Sequence, residues 1–118
     1  MSFIRYTMDT QPHKHRLRNY LEKGKDIFGE WLDALPDLAA KAAIRARLDR
    51  VVAGNFGDHR SVGRGVWELR IHSGPGYRVY YGEDGPIIVL LLCGGDKKTQ
   101  HKDIRKARQF WARQRGLI

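Results

Sequence analysis

The stretch VWELRIHSGPGYRVYYGEDGPIIVLLLC, residues 66–93, decides the fold class. Over Val66–His72 the side chains alternate. Trp67, Leu69 and Ile71 fall on one face and Glu68, Arg70 and His72 on the other, the period-two pattern of a half-buried strand. Ser73-Gly74-Pro75-Gly76 reads as a turn, after which Tyr77, Val79 and Tyr81 alternate against Arg78 and Tyr80. A second turn, Glu83-Asp84-Gly85-Pro86, leads to Ile87–Cys93, an almost wholly apolar run of the kind that lies inside a sheet. Three strands joined by short turns predict an antiparallel meander.

Upstream of this block the period is helical. Asp26 can cap a helix whose apolar face is Ile27, Phe28, Trp31, Leu32 and Leu35, ended by Pro36. Asp37 can cap a second helix running to about Ala53, with Leu38, Ile44, Leu48, Val51 and Val52 as its buried stripe and Gly54-Asn55 as its stop. Lys41, Arg45, Arg47 and Arg50 on that helix read as a solvated face. Arg16–Leu21 is a short candidate strand, closed by a turn at Lys23-Gly24-Lys25, and residues 1–14 read as an N-terminal extension to a single domain over 15–118. Downstream, Asp96–Gln100 leads into a final helix over about 101–115, with Ile104, Ala107 and Trp111 as its apolar stripe. The expected class is α/β (α+β).

Composition narrows the function. The 118 residues include 22 Lys and Arg against 13 Asp and Glu, a net charge of +9 that predicts a polyanionic or acidic partner. One cysteine, Cys93, can form neither an internal disulfide nor a zinc cluster, which fits a reducing compartment. The longest apolar run is far short of the ~20 residues of a membrane helix, and the first ten residues lack a secretory signal's apolar stretch, so the expected location is the cytoplasm, away from membranes.

If Trp67, Leu69, Ile71 and Val79 face the helices, then Arg70, His72, Arg78 and Tyr80 share the opposite face, on strands about 4.8 Å apart. Lys97, just past the third strand, can reach the same surface. Cations, an imidazole and a phenol with few acids suit a phosphodiester, since guanidinium groups hold two oxygens at once and aromatic rings stack on bases. A lone arginine on an outward strand face is usually no more than solvated, so it is the grouping that carries the reading. Other chemistries lack their residues. The five histidines have no metal-ligand spacing, no glycine-rich segment continues into a phosphate loop, no serine sits in a nucleophile elbow, and Cys93 reads as a packed small side chain.

The ordered motifs Val66–His72, Gly74–Tyr81 and Gly94–Gln100 with Asp103-Ile104 resemble the phage-derived, HigB-like addiction module killer branch of the RelE/ParE toxin superfamily. Tyr20-Leu21, Phe28–Leu32 and Gly54–Asp58 fit the same branch, so the resemblance covers roughly residues 16–110 and departs at the N-terminus. It implies a compact RelE-like domain: a curved, mainly antiparallel sheet, two N-terminal helices packed on one face, and a C-terminal helix. It also implies a cognate antitoxin, a small helix-turn-helix DNA-binding protein encoded adjacently. For the ribonuclease members it implies cleavage of mRNA on the ribosome, with no metal and no cofactor. ParE-like members instead inhibit DNA gyrase and cut nothing, and a non-catalytic nucleic-acid-binding module would explain the charge equally well.

On the ribonuclease reading an RNA 2′-hydroxyl attacks its own 3′-phosphate. That requires a proton acceptor and neutralisation of a pentavalent dianion. Arg70 and Arg78 can act only as charge stabilisers, because an arginine offers no usable base. A lysine at its ordinary value of about 10.4 is deprotonated in roughly one molecule per thousand near pH 7.4, so Lys97 reads as a clamp before a base. An imidazole, ordinarily near 6.5, makes His72 the expected base, and Tyr80 is expected to orient the hydroxyl or stack on a base. Residues 101–118 carry six Lys or Arg and one acid, a net of +5, and Lys98, Lys102, Arg105, Lys106 and Arg108 are the expected RNA- or ribosome-binding set.

Overall fold

A strand that is apolar at every position must be covered on both faces, and the computed structural model, which describes residues 14–118, covers it so. Five strands form one sheet in the order β1-β7-β6-β5-β4. They are β1 (Arg16–Asn19), β4 (His59–Gly63), β5 (Val66–Ile71), β6 (Tyr77–Asp84) and β7 (Ile88–Asp96). All neighbours are antiparallel except β1, which runs parallel to β7. The expected strand at Arg16–Leu21 breaks at Tyr20. Leu21–Glu22 (β2) turns away to pair with Lys25–Asp26 (β3) across a left-handed Lys23-Gly24 turn. The expected extension lies outside the described residues apart from Lys14, whose amide donates to the Val52 carbonyl.

Helix α1 (Ile27–Ala34) starts where Asp26 accepts the Gly29 amide at 2.9 Å, and the Asn19 amide group holds the same carboxylate at 2.9 and 3.1 Å. Helix α2 (Leu38–Val52) starts where Asp37 accepts the amides of Ala39 and Ala40. Phe28 and Leu32 of α1 and Ala40, Ile44, Leu48 and Val51 of α2 join one apolar cluster with Leu69, Ile71, Val79, Tyr81, Val89 and Leu91 of the sheet. Side chains of the opposite parity, among them Val66, Tyr80, Leu90 and Leu92, form a second cluster with Ala107, Phe110 and Trp111 of α3 (Gln100–Gln114). Between the clusters β7 carries a bulge. Tyr80 pairs with Cys93 but Tyr81 pairs with Leu91, so Leu92 is the extra residue and Cys93 turns to the α3 side.

Strand β4 was not among the expected elements. HRSVG offers one apolar side chain and is mostly exposed, so no hydrophobic alternation marks it. Its pairing with β5 is set by the two-residue turn Arg64-Gly65, both at positive φ, the geometry of a tight hairpin. The meander therefore has four strands, and α3 covers part of the face expected to stand open.

Candidate functional site

The register places Arg70 directly opposite Arg78, with Glu68 opposite Tyr80 one pair further along on the same face. The arginines are not bare. Glu68 is fully buried, and its two oxygens accept from four donors: Arg60 Nε at 3.1 Å, Arg78 Nη1 at 3.3 Å, the Tyr80 hydroxyl at 3.0 Å and Gln100 Nε2 at 3.0 Å. Asp58, in the loop before β4, takes Arg70 Nε at 3.2 Å and Nη2 at 3.0 Å on one oxygen and His72 Nε2 at 2.7 Å on the other. The bonds from these two partners, first His72 and then Arg70, hold the Asp58 carboxyl below the usual carboxylate range. Three guanidinium groups and two carboxylates leave this patch with one net positive charge, so "few acids" is corrected.

The loop that carries Asp58 is braced from behind. Arg47, expected on a solvated face, is buried instead, and its guanidinium donates to the carbonyls of Arg70 at 2.7 Å, Asp58 at 3.2 Å and Phe56 at 3.4 Å. Burial lowers its pKa, and the nearby Arg50 adds to the effect. The Arg70 amide donates in turn to the Asp58 carbonyl at 2.9 Å, so backbone and side chain tie the same two residues together.

Each expected site residue can now be placed. His72 sits just past β5 with its side chain 75% exposed, and the Arg70 side chain is 35% exposed. The Arg78 side chain is only 12% exposed. Its Nε is buried without a partner among the described residues. Tyr80 is fully buried beneath α3. Burial, then the Glu68 carboxylate, push its phenol upward, so it stays a donor to Glu68 and presents no face to a base. Lys97 and Lys98 are exposed in the turn after β7, at the sheet end where Gly95 pairs with Arg78. The Asp96 carboxylate shapes that turn by accepting the amides of Lys98 at 2.8 Å and Thr99 at 3.2 Å.

The basic set of α3 divides. Lys102 lies exposed in the first turn, whereas Arg105 and Arg108 belong to the other end of the sheet, where both Arg108 Nε and Nη2 donate to the Val62 carbonyl. Lys106 is half-buried. Cys93 is buried, and desolvation pushes its thiol up to about 12, which leaves no thiolate.

Sequence reasoning missed Asp58, Arg60, Gln100 and the brace at Arg47. Asp58 lies twelve and fourteen residues from its partners, beyond any local period. Glu68 did carry a signal, its parity with Arg70, but parity says nothing about which charges pair.

An imidazole and a guanidinium held by one carboxylate, beside further cations at one end of a two-faced sheet, define a polar site able to bind an anion and move a proton. The model of the "Phage derived protein Gp49-like" family matches residues 30–114, and the chain belongs to that family. The family falls in the addiction-module toxin group, commonly the toxin of a toxin–antitoxin pair. The chain is also 52% identical over 90 residues to an uncharacterised protein of Haemophilus influenzae, an alignment spanning 76% of this chain and 90% of that one. No solved structure matches.

Proposed function

We propose that the chain is the RelE- and HigB-like toxin of a type II toxin–antitoxin pair. It acts in the cytoplasm as an endoribonuclease on ribosome-bound mRNA and is restrained by an antitoxin encoded beside it. The observation that carries the reading is Asp58, bridging His72 and Arg70. With Asp58 ionised, the bonded Nε2 carries the hydrogen and Nδ1 keeps its lone pair, so the exposed imidazole is oriented as a base. His72 Nδ1 takes the 2′-hydroxyl proton, the 2′-oxygen bonds to phosphorus, and the bond to the 5′-oxygen breaks, that oxygen taking a proton from water. Arg70 Nη1, outside its pair with Asp58, and the Lys97 ammonium balance the developing dianion. Arg78 adds charge from just below the surface, and Tyr80 supports it through Glu68. Lys98 and Lys102 extend the footprint along the RNA. The scheme uses no metal or cofactor.

One observation favours a second reading. Both central arginines are already paired with carboxylates, which suits a surface that only contacts a protein, as a ParE-like inhibitor of DNA gyrase would. Induced expression with mapping of message ends and of DNA breaks separates the two. Cuts at fixed positions in messages, absent in His72→Gln, support the ribonuclease. Intact messages with broken DNA support the gyrase inhibitor.

A further inference from the structure

An open groove with a cavity volume of about 980 Å³ lies between the end of α3 and the β4–β5 turn. Among the described residues four arginines line it, Arg64, Arg105, Arg108 and Arg115, against one acid, Glu83. Its apolar lining is Trp67, Trp111, Leu117 and Ile118. From Gly65, at this end of β5, to Arg70 the strand climbs about 16 Å, so the groove is separate from the site described above.

The groove is rigidly built. Trp111 lies against the backbone where two glycines leave room: a methyl group at Gly65 would stand 2.5 Å from its Nε1, and one at Gly82 would clash with the six-membered ring. Arg115 sits over the indole at 5.4 Å from the ring centre, and Arg108 is anchored on the Val62 carbonyl. Side chains already ordered lose little freedom on binding. Leu117 and Ile118, in contrast, are 74% and 73% exposed. Arginines around bare aliphatic side chains ask for carboxylates and apolar groups together. An RNA offers phosphates to the arginines and bases to the tryptophans but leaves the bare aliphatic Leu117 and Ile118 unmatched.

We propose that this groove is the docking site for an acidic, amphipathic segment of a protein partner, with carboxylates on Arg105 and Arg115 and apolar side chains against Trp111, Leu117 and Ile118. This holds whichever reaction the other end of the sheet performs. A helix of about 11 residues would match the part of α3 that lines the groove, Arg105 to Arg115, roughly 15 Å.

The test selects peptides of about 16 residues from a random library on the full-length folded protein. A selected peptide is then titrated by fluorescence anisotropy at about 0.15 M salt. Selected sequences should be rich in Asp and Glu, with apolar residues three and four apart. Arg105→Glu/Arg115→Glu should weaken binding about tenfold or more, and Leu117→Ser/Ile118→Ser should weaken it several-fold. Arg45→Glu/Arg50→Glu, the same charge change on exposed positions of α2, should leave it within about twofold. Circular dichroism checks that each variant is folded. Peptides without acidic enrichment, or equal losses in the two charge-reversed variants, would overturn the proposal. So would a labelled single-stranded RNA of about 12 nucleotides that displaces the peptide and loses affinity in the Arg105/Arg115 variant, which would make the groove a nucleic-acid surface.

Discussion

Replacing Glu68 by Gln keeps the shape of the side chain and removes the charge on which four donors converge. Arg60 is half exposed, with 51% of its side chain open, so its share of the loss is screened and falls within about 1 kcal/mol. Arg78 is different. At 12% exposure it cannot recover hydration, and a buried pair that loses one member costs about 3–5 kcal/mol. The new amide keeps one acceptor oxygen, which the guanidinium groups need because they cannot accept; its NH2 must then face Tyr80 and Gln100, each of which has to turn an oxygen toward it and give up the bond it donated to Glu68. We expect Glu68→Gln to lose about 3–5 kcal/mol in urea denaturation followed by circular dichroism. For a chain of this size that is a fall in Tm of about 12–20 °C. Arg78→Met in the same background should recover part of the loss, with a coupling of about 2 kcal/mol, because the uncompensated guanidinium is then gone. A Tm within about 4 °C of wild type, or strictly additive losses in the double variant, would show that the buried carboxylate does not hold this end of the sheet together.

His72→Gln should lower single-turnover cleavage by about 10²–10⁴, while Lys97→Ala should weaken it less; an unchanged rate in His72→Gln with collapse only in Lys97→Ala would move the base to Lys97. Arg70→Ala should abolish growth arrest in a protein that still folds, whereas Arg78→Ala should destabilise the sheet by leaving the buried Glu68 carboxylate with the half-exposed Arg60 as its one charged partner among the described residues; the check is toxicity beside soluble yield and Tm. Asp58 is held low by its partners, so the stability it adds is complete above the ordinary carboxylate value near 3.9 and disappears as pH falls below it; the Tm gap between wild type and Asp58→Asn should close in acid, and a gap unchanged at about pH 2 would refute the bridge. Gly82→Ala should cost about 1–3 kcal/mol by driving a methyl group into Trp111, and Trp111→Leu in that background should return part of it.

Periodicity was enough to read β5, β6 and the three helices, because each buries a face whose spacing is printed in the chain, two for Val66–Ile71 and near 3.6 for Leu38–Val52, although Leu38, expected in the buried stripe, is 75% exposed; β7 was legible from its unbroken apolar run instead. The caps at Asp26 and Asp37 were legible for a related reason, since a carboxylate that meets amides two or three residues ahead is a local event. Residue identity likewise put Arg70, Arg78 and Tyr80 on one face. What that face does depended on contacts between residues far apart in the chain. Asp58 reaches Arg70 and His72 across a loop, Gln100 meets Glu68 from the start of α3, and Arg47 leaves the surface because three carbonyls of other segments converge on it. The same kind of contact buries Tyr80 beneath a helix whose own period gives no hint of the strand it will cover. A sequence states the charges and the parity of its side chains; which charges neutralise one another, and which stay open to a ligand, is decided by distances that exist only once the sheet and its helices are assembled.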